Sequence, residues 1–328
     1  MNRLYLILKS FISVFIMGLS QVVLAQSGQF PDKPVKIIVP FPPGGGIDVL
    51  IRSLSKELSE RWKQPVIIEN KPGAATFVGA EYVAKASPDG YTLLATTDPT
   101  FTSNRHLFNK MPYDPDKSFS PIIQMVKGDN IIFANPAVPV TDLKGLVAVA
   151  KDKKQSFSFA SYGNGTQPQL VFGYLNKRES LDILHVPYKG IAPVMMAVAG
   201  REVDLSVASA GVAGEMIKGE RIRPLAVAGK NRMVQFPNVP TTAEQGFPYL
   251  RSFIWYGLFA PAGTPPSIVA KLNSDVAQIL KTPSFADRQV GDKGMTVIAG
   301  SPNELVEAIR EDSVLIGEMV KASGIKPE

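Results

Sequence analysis

Val35-Lys36-Ile37-Ile38-Val39-Pro40-Phe41-Pro42-Pro43-Gly44-Gly45-Gly46 is the stretch whose reading decides the fold. Val35, Ile37, Ile38 and Val39 are β-branched and read as a strand that ends in a proline- and glycine-rich turn. Residues 47–62 then carry Val49, Leu50, Leu54 and Leu58 at helical spacing. Strand, glycine loop and helix follow one another with no linker between them. Val66-Ile67-Ile68-Glu69 gives a second strand, residues 77–85 a second helix, and Tyr91-Thr92-Leu93-Leu94-Ala95 a third strand after the Pro88-Asp89-Gly90 turn. This βαβαβ order predicts a parallel sheet covered by helices on both faces.

The alternation resumes beyond residue 130. Helices are expected at 141–150, 168–176, 192–198 and 213–218, between strands Phe157-Ser158-Phe159-Ala160, Ile183-Leu184-His185-Val186, 203–207 and Pro224-Leu225-Ala226-Val227. Helices at 266–281 and 302–323 flank a short strand at 295–298. Two α/β units follow, with residues 26–128 plus 230–328 as a discontinuous first lobe and residues 129–229 as the second. Short crossing segments of this kind allow hinge closure around a ligand.

A chain of 328 residues, 45% hydrophobic and 20% charged, suits two globular units and excludes a disordered chain. Its charge of +6 comes from 35 basic and 29 acidic residues that are interspersed, which does not argue for nucleic acid. With no cysteine there is no disulfide, thiolate metal site or cysteine nucleophile. Residues 1–25 read as a cleaved secretory signal: Arg3 and Lys9, an apolar stretch over 11–19, and Val23-Leu24-Ala25 before Gln26. The apolar stretch is shorter than the roughly 20 residues of a membrane span. Cleavage leaves a periplasmic protein, not membrane-embedded, with a charge of +4.

The loops carry the functional signal. Glycines 44, 45 and 46 lie where a strand meets a helix N-terminus, a junction that presents unpaired N–H groups and the positive end of the helix dipole to an anion. There is neither a G-x-G-x-x-G spacing nor a Walker lysine, so nucleotides are disfavoured. Ser161-Tyr162-Gly163-Asn164-Gly165-Thr166 forms a comparable loop, with Thr166 placed as a helix cap. At His185-Val186-Pro187-Tyr188-Lys189-Gly190 two readings stay open, a ligand-contacting rim or a structural histidine beside solvated side chains.

Phe30-Pro31-Asp32-Lys33-Pro34, the stretch ending at Gly46, and Val66-Ile67-Ile68-Glu69-Asn70-Lys71-Pro72-Gly73-Ala74 resemble the tripartite tricarboxylate transporter solute receptors, the Bug family. Pro112-Tyr113-Asp114-Pro115, Pro240-Thr241-Thr242-Ala243-Glu244 and Ala260-Pro261-Ala262-Gly263-Thr264-Pro265 extend the likeness over nearly all of the mature chain. The resemblance implies a type 2 periplasmic binding-protein fold, two α/β lobes with a ligand cleft between them. It also implies capture of a small carboxylate for a membrane permease, by a monomer without cofactor or metal. Carried over, the ligand-binding positions are Phe41, Pro43, Gly44, Gly45 and Gly46 in one lobe and Tyr162, Gly163, Asn164, Gly165 and Thr166 in the other. Thr96, Thr97 and Asp98 follow the third strand and border the cleft, as do Tyr188, Ile191, Ala208 and Ser209.

Departures from the family pattern bear on specificity. Val207-Ala208-Ser209 stands where relatives often carry Phe-Asp-Asn, which weakens the case for an amino-acid ligand, and Ile191 replaces a small polar residue. A dicarboxylate or aromatic carboxylate is expected, with Phe41 and Phe101 either as aromatic walls or as core. Two further classes are weighed: a sensor presenting the carboxylate to a membrane signalling partner, and an exported hydrolase. Only two histidines, no G-x-S-x-G setting and no spaced carboxylate pair speak against the hydrolase.

Overall fold

The computed structural model describes residues 30–152, 155–163 and 165–327. The expected leader, residues 1–25, and Asn164 lie outside the described residues. Strand β1 (Val35–Val39) pairs in parallel with β2 (Val66–Asn70) and β3 (Thr92–Thr97). In the second half β5 (Ser158–Ser161) pairs in parallel with β6 (Leu184–Pro187) and β7 (Leu205–Ser209). The sheet is nevertheless mixed, because two strands that the sequence reading did not include lie at its centre. These are β4 (Phe119–Ala134) and β9 (Phe253–Pro261), antiparallel to each other and to their neighbours in the order β2-β1-β3-β9-β4-β7-β5-β6. β8 (Arg223–Val227) and the short β10 (Thr296–Val297) also pair with β4.

β4 runs through both lobes. Its first half pairs with β9 and its second with β7 and β8, and register shifts at Pro121/Ile123 and Gln124/Val126 absorb a proline that lacks the N–H for a regular ladder. The crossing is cross-linked where β4 enters the second lobe. The Asn130 amide donates to the Ser252 carbonyl (2.9 Å), the Ala228 amide to the Asn130 carbonyl (2.8 Å), and Asn130 Nδ2 to Ser252 Oγ (2.8 Å).

Helices α1 (Gly46–Trp62) and α2 (Phe77–Ala84) cover opposite faces of the first lobe's sheet. α1 buries Leu50, Ile51, Leu54 and Leu58, one stripe at helical spacing, with Leu272, Val276 and Ile279 of α7 (Pro266–Leu280) in the same core. In the second lobe α3 (Leu143–Lys151) and α4 (Gln167–Glu179) pack on one face, α5 (Ile191–Ala199) and α6 (Ala210–Lys218) on the other.

The C-terminal helix α8 (Pro302–Ser323) belongs to both cores. Its start is defined by a capping box between Ser301 and Glu304 with Pro302 in the first turn, and its end by Gly324 at φ 70°. Leu305 and Ile309 pack with Trp255 and Phe259 of the first lobe, whereas Ile316, Met319 and Val320 pack with Phe172 and Leu175 of the second. Phe247 and Leu250 also lie in the second lobe's core, and Met233 and Phe236 pack with Ile131 and Val227. Residues 233–250 thus pack beside the second lobe, ahead of the hydrogen bonds that tie Ser252 to Asn130 and Ala228.

Candidate functional site

A cavity of about 460 Å³ opens where the two lobes meet the crossing strands. Phe41, Thr97, Asp98, Asn104, Leu107 and Phe108 line it from the first lobe, and Tyr162, Gly165, Thr166, Leu170, Ile191, Ala208, Ser209 and Val212 from the second. Asn130, Phe253 and Ile254 contribute from the crossing strands, and Ile325 and Lys326 from the tail after α8. The size suits a small organic ligand, and the walls are mostly apolar.

The second lobe directs three helix N-termini here. Thr166, Gly190 and Ser209 are the N-caps of α4, α5 and α6, and none makes a side-chain cap hydrogen bond. Thr166, Gln167, Ile191 and Ser209 line the cavity, so the positive ends of three helix dipoles lie at its wall, although Pro168 and Pro193 carry no N–H and the Gln167 amide is engaged by the Tyr162 hydroxyl. Thr166 departs from its expected capping role: its hydroxyl donates to the Gly163 carbonyl (2.6 Å) instead of accepting a helix amide. The Gly165 amide already donates to Gln169 Oε1 (2.7 Å).

The proline-glycine loop of the first lobe is arranged differently from the expectation. The Gly44 amide donates to Asp48 Oδ2 (2.9 Å), and that carboxylate also accepts from Arg52 Nε (2.9 Å) and Asn70 Nδ2 (2.9 Å). Burial alone would raise the Asp48 carboxyl, but these donors hold it at about 2. Pro43, Gly44, Gly45 and Gly46 are exposed and lie outside the cavity lining. A Cβ on Gly44 would meet open space and one on Gly45 only the Pro42 carbonyl at 3.9 Å, while one on Gly46 would lie 2.6 Å from the Tyr256 hydroxyl.

Three other expected positions also lie off the lining. Thr96 is fully buried with its hydroxyl 2.6 Å from Thr100 Oγ1, Gly163 turns its carbonyl to Thr166, and Tyr188 packs against the Val194 core. Phe101 is core, stacked on Phe259 at 4.1 Å, whereas Phe41 lines the cavity. His185 is structural in this arrangement, stacked on Phe159 with Nε2 2.6 Å from Ser161 Oγ. Ser161 is fully buried, so this serine and histidine pair presents no nucleophile to a ligand.

Asp98 is the acid of the cavity. It is 2% exposed, accepts the Trp255 amide at 3.3 Å, and burial pushes its carboxyl up to about 8, with the charge of Asp312 adding to the rise. Burial and the nearby Asp98 charge push the Tyr256 hydroxyl up to about 12 and raise that of Tyr162 further. At neutral pH Asp98 is thus mostly a neutral carboxylic acid, able to donate a hydrogen bond to an anion beside it.

The sequence reading passed over several lining residues. Ala75 and Thr76 belong to a run of three non-glycine residues in the left-handed region, Ala74 (φ 44°), Ala75 (φ 52°) and Thr76 (φ 81°). This strained turn is pinned by Asn104 Nδ2 donating to the Ala75 carbonyl (2.7 Å) and by Thr76 Oγ1 lying 3.0 Å from Thr100 Oγ1. No local signal marks it. Asn130 did carry one, as a polar residue ahead of the apolar Ile131-Ile132-Phe133-Ala134 run.

Two lobes joined by crossing strands, closing on a cavity that helix N-termini face, define a solute-binding protein. A family model described as the tripartite tricarboxylate transporter family receptor matches residues 50–325, and the chain belongs to that family. It is 29% identical to the protein BugT of Bordetella pertussis over 99% of both chains. Among solved structures it is similar to Rpa4515 of R. palustris with adipate, at 30% identity and TM-score 0.79 over 91% of this chain and 100% of that one. It is also similar to MatC of Rhodopseudomonas palustris with bound malate, at 30% identity and TM-score 0.74 over 89% and 100%. The family is one of periplasmic solute-binding receptors, not of enzymes. Among the described residues no helix is long and apolar enough to cross a membrane.

Proposed function

We propose that this protein is exported by its N-terminal signal, captures a small dicarboxylate or aromatic carboxylate between its lobes, and delivers it as a monomer to a membrane permease of the tripartite tricarboxylate type. The observation that carries this reading is the set of three helix N-termini without side-chain caps, α4, α5 and α6, around one otherwise apolar cavity. Such termini favour a carboxylate through their aligned dipoles and the amides not lost to Pro168, Pro193 or the Tyr162 hydroxyl, so side-chain charge is not required at that end. The adipate and malate held by the two related receptors are aliphatic dicarboxylates, which supports the same ligand class here.

Capture would proceed by closure. The second lobe's amides and the neutral Asp98 carboxyl meet the anion, while Phe41, Leu170 and Phe253 cover its apolar body. The Gln169 side chain that now occupies the Gly165 amide is exchanged for the ligand. The closed form gains population by the ligand's greater affinity for it. A thermal-shift screen against aliphatic dicarboxylates, aromatic carboxylates, citrate and acidic amino acids tests the reading, because a ligand that binds only the folded state raises its melting temperature. A selective shift with one carboxylate class is expected. Shifts with amino acids alone, or turnover of a bound carboxylate, would overturn it.

A further inference from the structure

We propose that Lys326, on the short tail after α8, forms a second anion subsite at the cavity mouth, so that the ligand bears two acidic groups separated by an apolar body. This rests on the carboxylate-receptor reading and adds which carboxylates are preferred. Among the described residues lining the cavity there is one acidic side chain, Asp98, and one basic side chain, Lys326. They differ in setting: Asp98 is 2% exposed, whereas Lys326 is exposed. Leu107, Phe108, Leu170 and Ile325 also line the cavity and offer nothing to a second carboxylate, and the lining amides of Asn104 and Asn130 donate instead to the Ala75 carbonyl and Ser252 Oγ. An ionised group held against such a wall loses water without gaining a partner, so its position is decided by where a cation stands.

The tail is held in place on either side of Lys326. Gly324 at φ 70° turns the chain out of α8, Ile325 packs against the second lobe's core, and Asn109 Nδ2 of the first lobe donates to the Pro327 carbonyl at 3.4 Å. The backbone is thereby tied to both lobes while the ammonium group stays exposed on a flexible stem. No ion pair among the described residues engages it. A lysine there acts as a movable point charge, suited to diacids of more than one length.

The test is calorimetric titration of the purified exported protein with two matched pairs, octanedioate against octanoate and terephthalate against benzoate. Wild type is compared with Lys326→Ala, Lys326→Glu and Lys326→Arg. Lys326→Ala should weaken the dianion of the preferred pair about fivefold, the scale of an exposed ion pair, and leave its monoanion unchanged. Lys326→Glu should weaken the dianion further and Lys326→Arg should restore it, all at an unchanged melting temperature. The wild-type preference for the dianion should shrink as salt is raised from low to physiological strength. Equal weakening of both members of a pair, or no change in either, overturns the subsite while leaving the receptor reading intact. Wild type binding neither dianion overturns the subsite, and the receptor reading is then decided by the thermal-shift screen.

Discussion

Replacing Asp98 by Asn removes the most perturbed acid of the cavity without removing its shape or its acceptor for the Trp255 amide. The carboxyl stands at about 8 because it is buried, against an ordinary value of 3.8. A folded-state value above the unfolded one means that the folded protein keeps a proton which the unfolded chain has released above about pH 4. The group's stabilising contribution is therefore complete below pH 4, declines as pH rises, and levels off once the folded carboxyl itself ionises near pH 8. The slope between those limits is about 1.4 kcal/mol per pH unit, so roughly 4 kcal/mol separates pH 5 from pH 8. Urea unfolding of wild type and Asp98→Asn from pH 5 to 9 reads this directly. The variant's advantage should widen steadily up to about pH 8 and then stay constant. A difference that does not vary with pH, or that narrows as pH rises, would refute the placement of a buried neutral acid at this site. Carboxylate affinity supplies an independent check, since above pH 8 the ionised wild-type side chain repels the ligand and the variant should bind better.

Other perturbations have equally definite outcomes. Gly45→Val adds bulk at an exposed, extended backbone position (φ −71°, ψ 163°) outside the cavity lining, with only the Pro42 carbonyl at 3.9 Å from the new Cβ, so circular dichroism, melting and calorimetric binding should all be unchanged. Lost affinity would place the proline-glycine loop in the closed binding site after all. Ser301→Ala removes the capping box of α8 and should cost about 1 kcal/mol in urea unfolding. Trp255→Phe deletes the Nε1–H that donates to Asp312 at 3.0 Å, leaving a buried acid without that partner at a cost of about 1–3 kcal/mol. Asp48 is held at about 2, below its ordinary 3.8, so its contribution is present above pH 4 and lost as pH falls through 2. Asp48→Asn should flatten the acid-unfolding curve over that window.

Much of the architecture was legible in short-range pattern. The strand, loop and helix at 35–62 read correctly because α1 buries a single stripe and β1 is a β-branched run; α8 was bracketed by Ser301, Pro302 and Gly324. β4 was not legible. It is covered by helices on both faces, so period-two alternation is absent, and Pro121, Gly128 and Asp129 read locally as breaks. Its partners β9, β7 and β8 lie far along the chain, and that non-local pairing turned an expected parallel sheet into a mixed one. The aromatic run of β9, Phe253-Ile254-Trp255-Tyr256, did carry a strand signal.

By itself the sequence determined the α/β class, the glycine loops at strand-to-helix junctions, the absence of cysteine chemistry and the family. The first three follow from local spacing and residue type, which act over one helix turn or one strand, and the family follows from the resemblance of whole motifs along the chain. Only the tertiary structure decided which of those loops share a cavity, which amides are already taken by Asp48 and Gln169, and that Asp98, Asn130 and Lys326 line one chamber. Those residues are brought together by β4 and β9 crossing between the lobes and by α8 spanning both. Such long-range packing also strips water from Asp98, and no local pattern records that loss.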